Sequence, residues 1–284
     1  MPSTMPPEPR TSSTHAKCFF GASRDCSTKI SREHYISKAI LEMCGDLTIS
    51  GMPWQQEGDQ KKLALDSLTA NILCDRHNHA LSPLDTLAAK FFRSLEQLHE
   101  HTLKRSLSKR RLLVLGSGQG MEMWAFKTIA GLFHGRIARA NGGILNESAT
   151  LNETAIMQAV FGGRVPSPAG MYVRPATGSV ENRMTFSFAP LVSEDERNVV
   201  GLAAYFKAFD FAFLVDADIK QGRHLIDLGY TYRPVVISMS GPSSGPNRSR
   251  LGELVVTWPG SFLGRRTVNV RLVSAPKGDD QSDP

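Results

Sequence analysis

The sequence predicts an α+β protein, with helices in the N-terminal part and a mainly antiparallel β domain in the C-terminal part. Two patterns support this prediction. Apolar residues recur at helical spacing at Leu84, Leu87, Ala88, Phe91, Leu95 and Leu98. From about Met171 onward, short segments rich in β-branched and aromatic residues alternate with glycine, proline and asparagine, which is typical of strands joined by turns.

Local signals predict the N-terminal elements in order. We expect a glycine-containing knuckle at residues 18–28, a short strand at 29–33 and one or two helical turns at 37–44. Cys44 falls on the apolar side of these turns and is expected in the core. The longer helix is predicted to begin at Ser82, because a serine N-cap followed by proline is a common helix start.

Apolar runs and alternations predict the strands of the C-terminal domain. These strands are expected at residues 184–188, 199–206, 209–215, 232–238, 254–258 and 267–273. Asp210, Asp216 and Asp218 invite a metal site, but without a partner motif they are most simply strand-end and turn residues. We find no catalytic signature in this part of the chain.

The N-terminal part contains two sets of candidate metal ligands. Thiolates and an imidazole of the kind that close a tetrahedral zinc site are offered by Cys18, Cys26, Cys74 and His77. Glu33, His34 and Asn78 remain as oxygen and nitrogen groups, which suit a hard divalent cation and a general base. One set is expected to hold the fold, and the other to carry the chemistry.

A Glu-His pair at a strand end, followed by Leu-Cys-x-x-His-Asn at a helix start, resembles the HNH endonucleases of the His-Me finger group. The resemblance covers residues 18–98. It implies a zinc-stabilised ββα-metal finger in which His34 is the general base and Glu33 and Asn78 bind one Mg²⁺ or Mn²⁺ ion. The paired cysteines would hold zinc together with His77. The chain departs from the family pattern in the wide Cys18-x7-Cys26 spacing and in having His77 where a cysteine is usual.

The chemistry of these residues also suits phosphodiester hydrolysis without reference to the family. A neutral imidazole with a pKa near 6.5 is matched to removing a proton from water at neutral pH, if a neighbour fixes its tautomer. A backbone carbonyl or Asn71 could do so. His79 has three open roles: it lines a groove, replaces Asn78 as a ligand, or is solvated.

The charge of the chain is compatible with a polyanionic partner. The formal net charge is +6, and neutralisation of phosphates contributes much of the affinity of proteins for nucleic acids. The basic residues cluster after the predicted helix, at Lys104, Arg105, Lys109, Arg110 and Arg111. This cluster fits contacts with DNA, which we expect to be double-stranded, and it equally fits a solvated connector. The chain contains no run of about eighteen apolar residues, which a membrane-spanning helix would need. We expect a cytoplasmic protein.

Two other functions compete with a DNA endonuclease. The first is a non-catalytic, zinc-stabilised module that binds nucleic acid. The second follows from an apolar strand that runs into Gly-Ser-Gly-Gln-Gly at residues 116–120 and imitates the nucleotide-binding turn of S-adenosylmethionine methyltransferases. The repeated strand-helix-strand context of such folds is missing downstream, so a tight turn that caps a helix is favoured.

The resulting organisation has five segments. They are a disordered tail (1–15), an HNH-like nuclease finger (16–110), a strand and helical connector (111–165), a β-rich domain of unknown role (166–275) and a second disordered tail (276–284). The β-rich domain is a candidate site for homodimer formation or for binding a partner protein.

Overall fold

The computed structural model describes residues 4–44, 48–50, 52, 54–56, 59–103, 111–140, 143–176, 186–216, 218–241, 251–260 and 266–272. The tail at 276–284, residues 104–110 of the basic cluster and the side chain of Cys44 lie outside the described part. The α+β class is confirmed, because helices and several sheets pack together.

The helices are α1 (Lys38–Leu41), α2 (Asp75–Leu103), α3 (Gly118–His134), α4 (Leu145–Ser148), α5 (Glu153–Gly162) and α6 (Ile219–Asp227). The first eight strands are β1 (Ile30–His34), β2 (Thr48–Ile49), β3 (Lys61–Lys62), β4 (Thr69–Cys74), β5 (Arg111–Ser117), β6 (Arg139–Ala140), β7 (Gly143–Ile144) and β8 (Thr150–Leu151). The others are β9 (Gly170–Pro175), β10 (Phe186–Val192), β11 (Asn198–Phe206), β12 (Phe209–Leu214), β13 (Thr231–Tyr232), β14 (Val236–Ser240), β15 (Leu251–Thr257) and β16 (Thr267–Arg271).

Strands β1 and β4 pair antiparallel, and α2 begins at the residue after β4. We call β1, β4 and α2 the ββα unit. The pairing places Ile30 opposite Cys74 and His34 opposite Thr69, with a bulge between Ser31 and Glu33. A bulge changes which face the following side chains occupy. Glu33 is therefore buried, whereas the preceding Arg32 is exposed.

The predicted start of the long helix at Ser82 is wrong, since α2 runs through Pro83 without a break. Proline lacks an N–H, so the carbonyl four residues earlier, that of His79, loses its helical donor. The hydroxyl of Ser82 donates to this carbonyl at 3.1 Å. The serine therefore supplies the missing hydrogen bond, and the Ser-Pro pair lies inside the helix.

Two larger sheets form the rest of the molecule. The first has the order β10-β11-β12-β9-β13, with antiparallel pairing along this path, and β8 adds to β11 in parallel. The second has the order β16-β14-β15-β5. In it β14 and β15 are antiparallel, whereas β14 with β16 and β15 with β5 are parallel. Strand β5, which we placed in a connector, is thus the edge of this second sheet.

A continuous hydrophobic core joins the ββα unit to both sheets, and its buried members range from Cys18 to Leu272. Phe92 of α2 is at its centre. The Phe92 ring centroid lies 5.5 Å from that of Trp124 in α3 and 5.2 Å from that of Phe206 in β11. Aromatic rings at such separations add stabilisation beyond their buried area. The segment boundaries that we expected at residues 110 and 165 do not separate independent cores.

The N-terminal segment packs against α5 and against the loop at residues 25–26, which differs from the disordered tail that we expected. Thr4 is buried and donates to the carbonyl of Val160. The backbone N–H of Thr11 donates to Asp25 at 2.9 Å, and the Thr11 hydroxyl donates to the carbonyl of Cys26 at 2.8 Å. Composition alone did not indicate these contacts, because their partners are distant in sequence.

The Gly-Ser-Gly-Gln-Gly segment forms the predicted turn and helix cap. Ser117 accepts a hydrogen bond from the N–H of Gly120 at 3.1 Å, as an N-cap residue does. A Cβ atom on Gly118 would collide with the ring of Trp258. The space beside this glycine is filled by a side chain of the protein, and a bound cofactor is not needed to explain the glycine.

Gly118→Ala is therefore expected to lower the free energy of unfolding by about 1–3 kcal/mol, the usual cost of overpacking a core. Gly162→Ala is a matched control, since a Cβ atom there meets nothing within 4 Å. Urea denaturation of the two variants would measure the difference. Equal stability of both variants would show that the Trp258 ring moves aside at little cost.

The described helices include none that is both long enough and apolar enough to span a membrane.

Helix α6, which we did not predict, begins with a capping box in which Asp218 and Gln221 bond to each other's backbone N–H groups. Asp218 is therefore a cap residue. Asp210 pairs with Arg174 at 2.9 Å, and Asp216 accepts from Asn152 at 2.7 Å.

Candidate functional site

Four predicted ligands come together at the N-terminal end of α2. Cys18 and Cys26 lie in the loops around a short 3-10 turn, Cys74 ends β4, and His77 is in the first turn of α2. We call them the Cys3His cluster. All four are buried, and their ligand atoms lie within 4.8 Å of one another. No other group of three or more histidine, cysteine or acidic residues is placed to hold a metal in the described residues.

The distances in the cluster fit a tetrahedral metal. His77 Nδ1 lies 3.2 Å from the Cys74 sulfur, 3.4 Å from that of Cys18 and 3.8 Å from that of Cys26. Bonds of about 2.3 Å to sulfur and 2.0 Å to nitrogen in a tetrahedron place sulfur and nitrogen ligands about 3.5 Å apart. The cluster is therefore compatible with a structural zinc ion.

Neighbouring groups prepare these side chains for coordination. Burial lowers the pKa of His77 to about 4, so the imidazole is neutral at pH 7. Its Nε2 lies 3.0 Å from the Ser23 hydroxyl, and Nδ1 faces the three sulfur atoms, where a metal ion could bind. Burial opposes ionisation of Cys74, but hydrogen bonds from the backbone of His77 and Ser27 lower the pKa of its thiol.

A buried ion pair fastens the loop of the cluster to α2. Arg76 Nε lies 2.9 Å from Asp25 Oδ1, and both side chains are largely buried. Arg76 also donates to the backbone carbonyl of Pro9 at 3.1 Å. Arg76 therefore connects three parts of the structure, which are the N-terminal segment, the loop of the cluster and the start of α2.

Glu33, the predicted metal ligand, already has a cationic partner. Its Oε1 lies 2.6 Å from Nζ of Lys127, which projects from α3. The same ammonium lies 2.6 Å from Asp85 Oδ2 of α2. We call Lys127, Glu33 and Asp85 the lysine triad. Burial alone would lower the pKa of Lys127, but the Asp85 and Glu33 carboxylates raise it above its usual value, so the side chain is charged.

Further hydrogen bonds extend the lysine triad into the core. The hydroxyl of Ser37 donates to Asp85 Oδ1, and the indole N–H of Trp124 donates to the Ser37 oxygen at 3.3 Å. These bonds join the turn before α1 to α2 and α3. Glu33 is therefore part of a connected buried network and does not stand at a free strand end.

His34, the predicted base, is next to this network in a small cleft that Glu33, Asp85 and Lys127 also line. Its Nε2 is buried without a hydrogen-bond partner in the described part of the chain. The closest acid is Asp66, whose Oδ1 lies 3.9 Å from this nitrogen. Burial, and then the charge of Lys38, lowers the pKa of His34 below its usual value.

The remaining predicted residues are placed as follows. Asn78 is in the first turn of α2, and its Nδ2 donates to Ser31 at 2.9 Å. Burial raises the pKa of Glu33, and the charge of Lys127 and the nearby amide of Asn78 oppose this rise. Asn71 is exposed and makes no side-chain hydrogen bond to His34 in the described residues. His79 is exposed and bonds to the carbonyl of Asp75 at 2.7 Å.

Known proteins offer no further guide to this site. No family model matches the chain, and neither the curated proteins nor the solved structures include a significant match.

The residues present do not fit a divalent ion at Glu33. A hard cation would need oxygen atoms that are free to coordinate it. Glu33 instead accepts from Lys127, and the amide of Asn78 donates from Nδ2 to Ser31. Glu33 and Asn78 therefore bond to other groups of the protein. His34 lies beside Glu33, and its Nε2 has no hydrogen-bond partner in the described residues.

We assigned no functional role to Lys127 or to Asp85 from the sequence. A signal was present, because Lys127 stands in an otherwise apolar stretch of α3. A lysine is almost never fully buried unless it is paired. Glu122 lies in the same stretch, and it pairs with Arg233 at 2.7 Å. The two charged residues of this helix therefore mark two buried ion pairs.

Proposed function

We propose that the protein is an HNH-type endonuclease that hydrolyses phosphodiester bonds of DNA, with a structural zinc ion in the Cys3His cluster. The observation that carries the proposal is the buried, unpartnered Nε2 of His34 at the end of β1 in the ββα unit. Unpartnered buried nitrogens are uncommon, and functional groups are one of their explanations. The resemblance of residues 18–98 to the HNH endonucleases supports the same function.

In the proposed reaction His34 accepts a proton from the attacking water, whose oxygen bonds to phosphorus as the bond to the leaving sugar oxygen breaks. The leaving oxygen then takes a proton from solvent. A lowered pKa keeps the imidazole neutral, which is the form that a general base needs. Lys38 is half exposed, and its Nζ lies 3.8 Å from Asp66 Oδ1. Arg32 is exposed and bonds to Thr69 at 3.0 Å. These two cations beside His34 suit contacts with the phosphates of DNA.

His34→Ala is expected to reduce the nicking rate of supercoiled plasmid by about 10²–10⁴-fold, the usual contribution of a general base. His79→Ala is the matched control, because His79 is an exposed histidine of the same unit. Reactions with Mg²⁺, with Mn²⁺ and with a chelator would be compared for proteins of equal zinc content. Equal nicking by wild type and His34→Ala would exclude His34 as the base.

The pH dependence of cleavage tests the same residue. Because the pKa of His34 is lowered, the rate is expected to be constant from about pH 8 to below the ordinary histidine value of about 6.5, and to fall only in more acidic solution. Lys38→Gln removes a nearby positive charge and should move the fall in rate to higher pH. A wild-type inflection above about pH 6.5 would contradict the assignment.

A second function, binding of nucleic acid without cleavage, is favoured by the bond between Glu33 and Lys127. In that case the Cys3His cluster only stabilises the fold, and wild type and His34→Ala would bind DNA equally without nicking it. Gel-shift and nicking assays on the same samples separate the two functions.

A further inference from the structure

We propose that the ammonium of Lys127 takes the place of a divalent ion at Glu33, so that α3 supplies the ββα unit with a cation from the protein itself. The proposal goes beyond the proposed function and does not depend on it. It concerns what binds to one carboxylate, whether or not the protein cleaves DNA.

The geometry of the lysine triad supports the proposal that the Lys127 ammonium occupies the position of a divalent ion. Nζ of Lys127 lies 2.6 Å from an oxygen of Glu33 and 2.6 Å from an oxygen of Asp85. Two carboxylates from different elements that converge on one point are an arrangement that attracts a cation. The side chain of Lys127 is only 5% exposed, so water does not compete for its ammonium.

The polar groups around the triad complete a site that is satisfied without an ion. Asp85 is bonded through both oxygens, to Lys127 and to Ser37. The amide of Asn78 is engaged as well, because its Nδ2 donates to Ser31 at 2.9 Å.

Burial makes the two cations exclude each other. A divalent ion at Glu33 would stand beside the Lys127 ammonium in a region with little solvent, where like charges repel strongly. Lys127 would have to lose its proton or leave, and its pKa is raised by the two acids. Without the ammonium, the carboxylates of Glu33 and Asp85 would form a negatively charged pocket beside Asn78.

The test measures Mn²⁺ binding to the zinc-loaded, full-length protein by electron paramagnetic resonance of the free ion. Wild type is expected to bind no Mn²⁺ at Glu33, so its binding should be the same as that of Glu33→Gln. Lys127→Met keeps an unbranched side chain without the charge, and it should gain one Mn²⁺ site per chain. The double variant Glu33→Gln/Lys127→Met should lose this site again.

Thermal melting gives a second readout, because an ion that binds only the folded state stabilises it. Mn²⁺ should raise the melting temperature of Lys127→Met and leave that of wild type unchanged. Zinc content is measured in each sample so that exchange at the Cys3His cluster is not counted. If Lys127→Met does not fold, the comparison of wild type with Glu33→Gln still decides the question.

Two results would overturn the proposal. One is a Mn²⁺ site in wild type that Glu33→Gln removes, and the other is a folded Lys127→Met protein that gains no site. Neither result depends on cleavage of DNA. Loss of nicking in His34→Ala, or its absence in wild type, is a separate outcome that concerns the proposed function alone.

Discussion

Cys74→Ser is expected to abolish zinc binding and to unfold the N-terminal part of the protein. Cys74 ends β4, and its sulfur is closest to His77 Nδ1, at 3.2 Å. Structural zinc in finger peptides contributes about 10–16 kcal/mol of apparent binding free energy at pH 7. That magnitude equals or exceeds the whole stability of a typical domain, about 5–15 kcal/mol. We therefore expect that loss of the zinc ion destabilises the protein beyond the cluster itself.

The effect should reach beyond the cluster, because the loop around Cys18 and Cys26 belongs to the main core. Zinc content by mass spectrometry and thermal melting by circular dichroism would measure the loss. A strong chelator added to wild type should reproduce the variant. Cys44→Ser is the control for loss of a thiol, since Cys44 is not one of the four predicted zinc ligands, and it should leave the zinc content unchanged. A Cys74→Ser protein that melts like wild type would show that the cluster does not stabilise the fold.

Lys127→Met is expected to lower the free energy of unfolding by about 3–5 kcal/mol, the usual cost of removing one partner from a buried ion pair. The ammonium lies 2.6 Å from both Glu33 and Asp85, so its loss leaves two acids close together without compensation. Removing an acid as well should restore part of the stability. Urea denaturation in the absence of Mn²⁺ would measure these differences.

Lys207→Met is the control for this prediction. Lys207 is also buried, but its ammonium lies 3.7 Å from its acidic partner Glu96, and Glu96 is partly exposed. Weaker and better hydrated pairs contribute less to stability, so the loss should be smaller than for Lys127→Met. Equal losses for both lysines would mean that the second carboxylate at Lys127 adds nothing.

Local sequence signals were enough for the residues of the Cys3His cluster and for many of the strands. Cys74 and His77 are three residues apart at a helix start, and this spacing brings both side chains to the same end of the helix. The strands Asn198–Phe206 and Phe209–Leu214 lie within one residue of their expected bounds. Their alternating and apolar patterns report burial directly, so no knowledge of distant residues was needed.

The lysine triad and the pairing of β5 could not be predicted in the same way, because both depend on residues far apart in the chain. Lys127 is more than forty residues from Asp85 and more than ninety from Glu33. Strand β5 is separated from its partner β15 by 133 residues. The prediction that α2 begins at Ser82 was wrong for a local reason, because the hydroxyl of Ser82 replaces the hydrogen-bond donor that proline lacks.

The bond that Ser82 supplies beside Pro83 has a mechanical consequence. It keeps 29 residues in a single helix, about 43 Å long at 1.5 Å per residue. One end of this rod carries the Cys3His cluster, and the other lies against the sheet that contains β5 and β15, where Leu98 packs beside Gly252. A displacement of the cluster would therefore be transmitted to that sheet through a single helix.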